Sequence, residues 1–202
     1  MPSPTIYTVG YSTHEWASLV ALLNTVPITA VADVRSHPTA RLPQYRRENL
    51  AVGLRAEGVA YVFLGDQLGA RRQEAECYVD GRADYERVAE LPAFGDGIAR
   101  LTEGVADYTV ALMCAEREPL DCHRGVLIAR VLQERGWRVR HLLADGTMEE
   151  HARTEERLVA QMGVDPLLDA GMDPRLLRER AYKERGREIA YRLPDLPGPV
   201  DD

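Results

Sequence analysis

The residues between positions 114 and 124 carry the groups best suited to covalent or proton-transfer chemistry. A cysteine becomes a nucleophile when its thiol loses a proton, and a helix start or a neighbouring cation favours that loss. Cys122 lies at the predicted start of a helix and is followed by His123 and Arg124. We therefore expect Cys122 to be partly ionised at neutral pH. The simpler alternative is that Cys122 is a small buried residue.

Cys114 and Glu116 stand just before this group, at the end of a predicted strand. In a dry cleft the pKa of Glu116 rises, and its carboxyl group then serves as a general acid or base. Alternatively, Glu116 pairs with Arg117 or Arg124, and Cys114 is a packing residue. The predicted catalytic residues are Cys114, Glu116, Cys122 and His123.

Two other segments that follow predicted strands are rich in polar groups. One begins at Gly10, and the other begins at Asp33. Arginine binds phosphate and carboxylate through two parallel hydrogen bonds, so the arginines in this set indicate a small anionic or nucleotide-like substrate. A carboxylate such as Asp33 is costly to bury, so its alternative role is to hold Arg35 in place. The predicted substrate-binding residues are Gly10, Ser12, His14, Asp33, Arg35, Arg41 and Arg124.

The same groups allow a different interpretation, a metal site. Cys114, Cys122 and His123 supply sulfur and nitrogen ligands suited to zinc or iron, and His14 or Asp33 would complete the set. Their spacing is not that of a standard zinc finger. We therefore predict no metal, keep these three residues as the ligands if one is bound, and leave the cofactor open.

Nucleic-acid binding is a third interpretation. The segment from Arg35 to Arg72 is rich in arginine, and with Tyr45 it offers groups that contact phosphates and bases. The net charge of the whole chain is −7, which argues against a broad electrostatic footprint for nucleic acid. In a purely structural alternative, all of these polar groups only stabilise loops.

Several classes of function are disfavoured by the sequence. It contains no Gly-x-Gly-x-x-Gly segment and no Walker loop, and Leu120 stands where a cysteine phosphatase built on Cys114 needs arginine. Three cysteines do not form a disulfide framework, and we find neither a signal peptide nor an apolar stretch long enough to cross a bilayer. We expect a cytoplasmic protein with free thiols and no membrane contact; its oligomeric state is open.

Alternating strands and helices are expected to position these residues. Continuous apolar runs are typical of parallel strands that are covered on both faces. The Ser12-x-x-Glu15 pattern predicts a capping box, followed by a helix with Trp16 and Leu19 on its apolar face, so His14 falls in its first turn. The predicted strands are Thr5–Val9, Ile28–Val34, Val59–Leu64, Tyr108–Met113 and Val139–Leu143.

Further helices are predicted between and after these strands. The stretch from Arg82 to Leu101 is helical in composition but is interrupted at Pro92 and Gly95. The segment from Asp66 to Gly81 is predicted to be a long loop. The other predicted helices are Arg46–Gly58, one capped by Asp121, one from about Met148 to Met162, and one beginning at Pro174 after the cap Asp173.

This order predicts an α/β fold with a mostly parallel sheet of about five strands, flanking helices and a C-terminal helical extension. We assign residues 1–147 to the core domain, 148–192 to C-terminal helices packed on it, and 193–202 to a frayed tail. Ligands of such sheets bind beyond the carboxyl ends of the strands. The segments that begin at Gly10, Asp33 and Cys114 should therefore meet.

The polar segments together resemble the domain of unknown function 488 family over about Thr5 to Leu143. The resemblance implies an enzymatic role for the paired cysteines and leaves the substrate open. Family members often carry a second glycine after the one equivalent to Gly65, where this chain has Asp66, so we expect the turn to differ locally. The segments that carry the resemblance are Thr8-Val-Gly-Tyr-Ser-Thr-His14, Asp33-Val-Arg-Ser-His-Pro38 with Arg41, Leu64-Gly65, and Met113-Cys-Ala-Glu116 with Pro119 and Cys122-His-Arg124.

Overall fold

The computed structural model describes residues 3–163 and 171–194. Its strands, in chain order, are β1 (Thr5–Gly10), β2 (Ala30–Asp33), β3 (Ala60–Phe63), β4 (Tyr78–Val79), β5 (Arg82–Ala83), β6 (Val110–Cys114), β7 (Arg138–Leu142) and β8 (Met148–Glu150). Six of them form one sheet in the order β3-β2-β6-β1-β7-β8, parallel except for the last pair, while β4 and β5 form a separate hairpin. The predicted mostly parallel α/β fold is confirmed, with six strands in the sheet.

Helices cover both faces of this sheet. They are α1 (Trp16–Asn24), α2 (Arg47–Ala56), α3 (Gly65–Leu68), α4 (Tyr85–Glu90), α5 (Pro92–Asp107), α6 (Arg130–Glu134), α7 (His151–Gln161) and α8 (Pro174–Ile189). A π-helical segment, Arg124–Ala129, leads directly into α6. Every residue of β2 and β6 is buried, as expected for strands that are covered on both sides.

The apolar side chains form separate clusters on the two faces. Leu19 of α1 and Leu54 of α2 pack on one face, and Phe94 of α5 packs on the other together with Ile128 of the π-helical segment. Burial of such side chains is the main driving force for folding, at roughly 25 cal/mol per Å² of apolar surface. A third cluster joins α7 and α8 to the π-helical segment, through Leu158, Ala181, Tyr182, Val126 and Leu120.

The first helix begins later than the sequence predicts. The capping box was expected at Ser12, but α1 starts at Trp16, so His14 precedes the helix. The backbone N–H groups of Tyr11 and Ser12 instead donate to the carbonyls of Cys114 and Ala115, at 3.1 and 2.8 Å. These bonds extend the strand pairing past β1 and leave Ser12 outside any helix.

Other boundaries differ for similar local reasons. Asp121 does not cap a helix, because it ends a 3-10 turn and the helical segment begins at Arg124. Met148 begins β8, which pairs with β7, and not a helix. The predicted loop 66–81 includes most of α3, a 3-10 turn and β4. A predicted break is present at Pro92, between α4 and α5, whereas Gly95 lies within α5 without interrupting it.

Within residues 3–163 and 171–194, every helix is too short or too polar to cross a lipid bilayer.

Asp173 caps α8 as predicted, since its carboxylate accepts the backbone N–H of Arg175 at 2.8 Å. Most of the predicted frayed tail, residues 195–202, lies outside the described residues.

Candidate functional site

The carboxyl ends of three adjacent strands bring the predicted segments together. β6 lies between β2 and β1, with Gly10 opposite Cys114 and Asp33 opposite Met113. The π-helical segment begins close to the same edge, because Cys122 lies only eight residues beyond Cys114. Topology therefore joins parts of the chain that are more than 100 residues apart.

Gly10 allows the chain to pass very close to the segment after β6. A Cβ atom at position 10 would lie 1.9 Å from the carbonyl oxygen of Glu116, a distance that no real side chain tolerates. The residue at this position must therefore be glycine for the backbone of Glu116 to keep its place.

We expect Gly10→Ala to lower the free energy of unfolding by about 1–3 kcal/mol, the usual cost of forcing extra atoms into a packed site. Denaturant unfolding measures this cost. Gly95→Ala is the matched control: a Cβ at this position of α5 meets no atom of the described residues within 4 Å, so alanine should stabilise the protein by up to about 1 kcal/mol. Equal effects from the two substitutions would show that the close approach is absent.

Two thiols, a carboxylate and an imidazole form the centre of the site, which we call the thiol cluster (Cys114, Glu116, Cys122 and His123). Both sulfur atoms lie near Glu116 Oε2, that of Cys114 at 3.1 Å and that of Cys122 at 3.0 Å. Each sulfur is 3.8 Å from Nδ1 of His123. All three cysteines of the chain are free thiols. The four predicted catalytic side chains are thus in mutual contact.

The geometry of Cys122 favours its thiolate. Its sulfur accepts the backbone N–H of Arg124 at 3.4 Å, where the chain turns into the π-helical segment. Burial alone would raise the pKa of the thiol. The hydrogen bond from Cys114 and the positive charges of Arg124 and His123 outweigh burial and hold the pKa of Cys122 well below its usual range.

Cys114 is the protonated partner of this pair. Its pKa is raised well above the usual thiol value, first because its S–H group donates a hydrogen bond to Cys122 and then because it is buried. One negative charge is therefore shared unequally between two sulfur atoms. A proton added to the pair goes to Cys122, and the proton that remains, on Cys114, is the harder one to remove.

His123 is oriented by the end of β2. Its Nε2 lies 3.0 Å from the carbonyl oxygen of Val34, which only accepts hydrogen bonds, so Nε2 carries a proton. Burial lowers the pKa of His123, but the negative charge on Cys122 outweighs burial and raises it above the usual value. An imidazolium whose Nδ1–H points at the thiolate follows from this pairing.

Glu116 forms the solvent side of the cluster. The residue is exposed overall, but its carboxyl end lies against the two thiols, where local burial and the charge on Cys122 raise its pKa. A thiolate and a carboxylate at 3.0 Å repel each other unless a proton lies between them. Glu116 and Cys122 therefore compete for one proton, which suits Glu116 to acid–base chemistry.

Arg124 is built into the framework of the site. It is 1 % exposed, and its Nη1 and Nη2 donate to the carbonyls of Glu116 and Arg117 at 2.6 and 3.0 Å. Its Nε donates to the hydroxyl of Thr8 at 3.4 Å. The sequence predicts a substrate contact for Arg124; the structure places its charge behind Cys122 and its donors on the backbone.

Asp33 and Arg35 form a buried ion pair beneath the site. Nε and Nη2 of Arg35 donate to the two carboxylate oxygens of Asp33 at 2.8 and 2.6 Å, and Nη1 donates to the carbonyl of Tyr45 at 2.9 Å. The Tyr61 hydroxyl also donates to Asp33, at 2.9 Å. Despite burial, the hydrogen bonds and charge of Asp33 raise the pKa of Arg35. The alternative role, in which Asp33 holds Arg35 in place, describes this geometry.

A surface hollow of about 610 Å³ opens beside Glu116. It is lined by Ser12, Thr13 and Arg41, among others, and Arg41 is its cationic side chain. Thr13 has a φ of 62°, a left-handed conformation that is unfavourable for a β-branched residue and is typical of functional turns. Nearby, Nε2 of His14 is buried and has no hydrogen-bond partner in the described parts of the chain.

Two other residues clarify the limits of the cluster. Cys77 is fully buried and lies outside the cluster, and burial, followed by the charge of Glu74, raises its pKa. Tyr85, at the start of α4, was not predicted. Its pKa is raised, first by burial and then by the negative charge on Cys122, so its hydroxyl stays protonated near the thiols. Sequence offers no signal for Tyr85, because only the fold brings α4 there.

The family model for the domain of unknown function 488 matches residues 15–131, which is more than half of the chain. The chain belongs to the domain of unknown function 488 family. The matched segment contains the whole thiol cluster, Arg124 and the Asp33–Arg35 pair. It begins later and ends earlier than the segment from Thr5 to Leu143 over which the sequence resembles the family. Neither the curated proteins nor the solved structures provide a match to this chain.

A chain of buried hydrogen bonds extends from Arg124 through residues outside the segment that the domain of unknown function 488 model matches. The Thr8 hydroxyl lies 2.7 Å from Nδ1 of His141, and Nε2 of His141 lies 2.9 Å from Nδ1 of His151. Nε2 of His151 lies 2.9 Å from the hydroxyl of Tyr182. The chain ends where that hydroxyl donates to Glu155 at 3.0 Å.

The two ends fix the direction of every hydrogen bond in this chain. Arg124 only donates, and at the other end the Tyr182 hydroxyl donates to Glu155, so each group between them donates onward. Both His141 and His151 are then neutral and carry their proton on Nε2. Burial, the first cause for each, lowers the pKa of His141 far below its usual value and lowers that of His151 to about 4.

The two buried, neutral histidines of this hydrogen-bond chain predict that the folded protein loses stability in mild acid. Below pH 6.5 the unfolded state binds a proton on each histidine, whereas folded His151 binds one only near pH 4. Stability is therefore complete above pH 6.5 and falls as the pH drops, by about 3 kcal/mol at pH 4 for His151 alone.

The free energy of unfolding, measured from pH 7 to pH 5, should decrease steadily in the wild type. The decrease should be shallower in His151→Gln, which cannot take up that proton. Stopping at pH 5 keeps ordinary carboxylates ionised in both states. A flat profile in the wild type would contradict the buried neutral histidines.

Proposed function

We propose that this protein is a thiol-dependent enzyme that acts on a small anionic or nucleotide-like substrate, with Cys122 as its nucleophile. The observation that carries the proposal is the position of the Cys122 sulfur, which accepts a backbone N–H and faces an imidazolium and a second thiol. This combination stabilises a thiolate and is suited to nucleophilic attack.

The proposed roles follow from the contacts in the cluster. Cys122 attacks an electrophilic atom of the substrate through its sulfur lone pair, and the bond to the leaving group breaks. Glu116, which shares a proton with Cys122, protonates that leaving group. His123 balances the charge, and the thiol of Cys114 donates to Cys122 until the substrate arrives.

Access to the nucleophile depends on Glu116. Cys114 and Cys122 are only 3 and 2 % exposed, whereas Glu116 is exposed and also lines the hollow of about 610 Å³. Rotation of the Glu116 side chain would uncover the sulfur of Cys122 from that side. In this proposal Arg41, Ser12 and His14 receive the anionic part of the substrate, while Gly10, Asp33, Arg35 and Arg124 keep the walls in place.

Limited labelling with iodoacetamide at pH 6.5, followed by peptide mass spectrometry, tests the nucleophile. Cys122 should be alkylated first, because its pKa is held below the usual thiol range, whereas the pKa values of Cys114 and Cys77 are raised. Cys77→Ser is the control and should leave the labelling unchanged, whereas Cys122→Ser should abolish it. Preferential alkylation of Cys77 or Cys114, or none at all in the folded protein, would contradict the proposal.

A metal site is the second candidate, favoured by a specific geometry. The sulfur atoms of Cys114 and Cys122 and a ring nitrogen of His123 all lie within 4.8 Å of one another. Zinc or iron bound there would hold both sulfurs as thiolates, and Glu116 is close enough to join. Elemental analysis of the purified protein distinguishes the two candidates. Stoichiometric metal in the wild type, absent from both Cys114→Ser and Cys122→Ser, would show that the cluster is a metal centre and that Cys122 is not a free nucleophile.

We also propose that the protein works in a reducing compartment, the cytoplasm, where the thiol pair stays reduced.

Nucleic-acid binding is the least favoured alternative. Within the basic segment, Arg35 pairs with Asp33, Arg72 pairs with Glu74, and the guanidinium of Arg47 lies over the ring of Phe63. Fewer free cations are thus left for phosphates than the sequence suggests.

A further inference from the structure

A second cavity lies between the β4–β5 hairpin, the start of α4 and α8. Its volume is about 490 Å³, within the range of sites for small molecules, and it shares no lining residue with the hollow beside Glu116. Tyr85 forms part of its wall and lies close enough to the thiol cluster for the charge on Cys122 to help raise its pKa, after burial.

The lining of this cavity is strongly cationic in an otherwise acidic protein. The whole chain has a net charge of −7, yet the cavity wall carries twice as many basic as acidic side chains. The acidic ones are Asp80, Asp84 and Glu86. The basic ones are Arg82, Arg87, Arg130, Lys183, Arg187 and Arg192.

Two of the three acidic groups are already engaged. Glu86 forms an ion pair with Arg130, whose guanidinium also lies over the ring of Tyr182. The carboxylate of Asp84 accepts the backbone N–H groups of Glu86 and Arg87, at 3.0 and 3.2 Å, and so caps α4. Glu86 therefore offsets the charge of Arg130, and five basic side chains remain against the carboxylates of Asp80 and Asp84.

The other basic side chains lack such neutralisation. Arg82 and Arg87 donate to backbone carbonyls, those of Arg187 and Glu76, at 2.6 and 2.9 Å. A carbonyl orients a guanidinium without cancelling its charge. Among residues 3–163 and 171–194, none of the following has a carboxylate within 4.0 Å: Arg82, Arg87, Lys183, Arg187 and Arg192.

The backbone holds these like charges together. The backbones of Arg192 and Arg82 form an isolated antiparallel β-bridge. Beside it, the N–H of Ala83 donates to the carbonyl of Tyr191, and the N–H of Leu193 donates to the carbonyl of Gly81. The segment after α8 is thereby fastened to the hairpin. Cations kept close by fixed backbone bonds repel one another, and a bound anion removes that cost.

We propose that this cavity binds a small oxyanion with several negative charges, of the pyrophosphate class, at a site separate from the thiol cluster. Guanidinium groups match the geometry of phosphate oxygens, and several uncompensated cations favour a ligand with more than one charge. The inference goes beyond the proposed function, because it assigns no role to Cys122.

Calorimetric titration of the full chain with inorganic pyrophosphate at low ionic strength tests this site. The wild type should bind one equivalent. The double variant Lys183→Gln/Arg187→Gln should bind at least about tenfold more weakly. Both residues are exposed, so the variant should keep its fold, which circular dichroism checks. Arg135→Gln/Arg175→Gln removes the same number of charges outside the cavity and should bind as the wild type does.

Three outcomes would overturn the proposal. The wild type does not bind pyrophosphate at low ionic strength; the two double variants lose affinity equally, which indicates a diffuse charge effect; or Arg41→Gln abolishes binding, which places the anion in the hollow beside Glu116. The alkylation of Cys122 is measured without pyrophosphate, so failure here leaves the proposed nucleophile untouched.

Discussion

Asp33→Asn is expected to lower the free energy of unfolding by about 3–5 kcal/mol, the usual cost of leaving one partner of a buried ion pair without the other. Asp33 is completely buried, and Arg35 is 4 % exposed. Asparagine keeps the shape of the side chain but removes the charge that Arg35 requires. The Tyr61 hydroxyl also loses its carboxylate acceptor.

Urea unfolding monitored by circular dichroism measures this effect. Asp96→Asn is the control: Asp96 is exposed on α5, and its substitution should change the free energy by less than about 0.5 kcal/mol. The double variant Asp33→Asn/Arg35→Met should recover part of the loss, because it removes the uncompensated cation as well. A loss of under 1 kcal/mol from Asp33→Asn would mean that the pair is accessible to water.

Arg124→Met should have two effects of similar importance. The carbonyls of Glu116 and Arg117 lose buried donors, which should cost about 3 kcal/mol of unfolding free energy at about 1–3 kcal/mol for each unsatisfied group. The thiolate of Cys122 also loses a neighbouring positive charge, so its pKa should rise. Alkylation of Cys122 at pH 6.5 should then be slower by on the order of tenfold.

Arg124→Lys separates these two effects. Lysine keeps the positive charge but cannot reproduce the forked contact with two carbonyls and Thr8. Stability should therefore fall, as in Arg124→Met, while the alkylation rate stays closer to that of the wild type. If both variants react at the wild-type rate, Arg124 does not stabilise the thiolate.

The meeting of the predicted segments could be foreseen because it depends on topology. Gly10, Asp33 and Cys114 end parallel strands, and those three strands are neighbours in the sheet, so their following residues converge. The thiol cluster itself is local in sequence, since its members span positions 114–123. Strand order and a short connection were enough to place it.

The roles of individual arginines could not be foreseen. Arg35 and Arg124 were predicted to bind the substrate, yet every nitrogen of both guanidinium groups has a partner within the protein. A sequence shows that a cation is present, but not whether a carbonyl from a distant segment has already engaged it. Among the three predicted arginines, Arg41 is the one that lines the hollow.

The buried histidines illustrate the same limit at longer range. His141 lies in β7 and His151 begins α7, and neither position has a sequence pattern that suggests a contact. Their hydrogen bonds connect residue 8 to residue 182 and depend on how α7 and α8 pack. The capping pattern at Ser12 failed for a related reason, because pairing with the segment after β6 took precedence over helix formation there.

The proposed function depends on the ionisation of the Cys122 thiol, which a pH titration of that thiol measures directly. Thiolate absorbance at 240 nm should be recorded against pH for the wild type and for Cys122→Ser, and the difference assigned to Cys122. The difference curve should rise well below the ordinary thiol pKa of about 8.5, because the charges of Arg124 and His123 and the hydrogen bond from Cys114 hold the pKa of Cys122 low despite its burial. A difference curve that rises only at pH 8.5 or above would contradict this expectation.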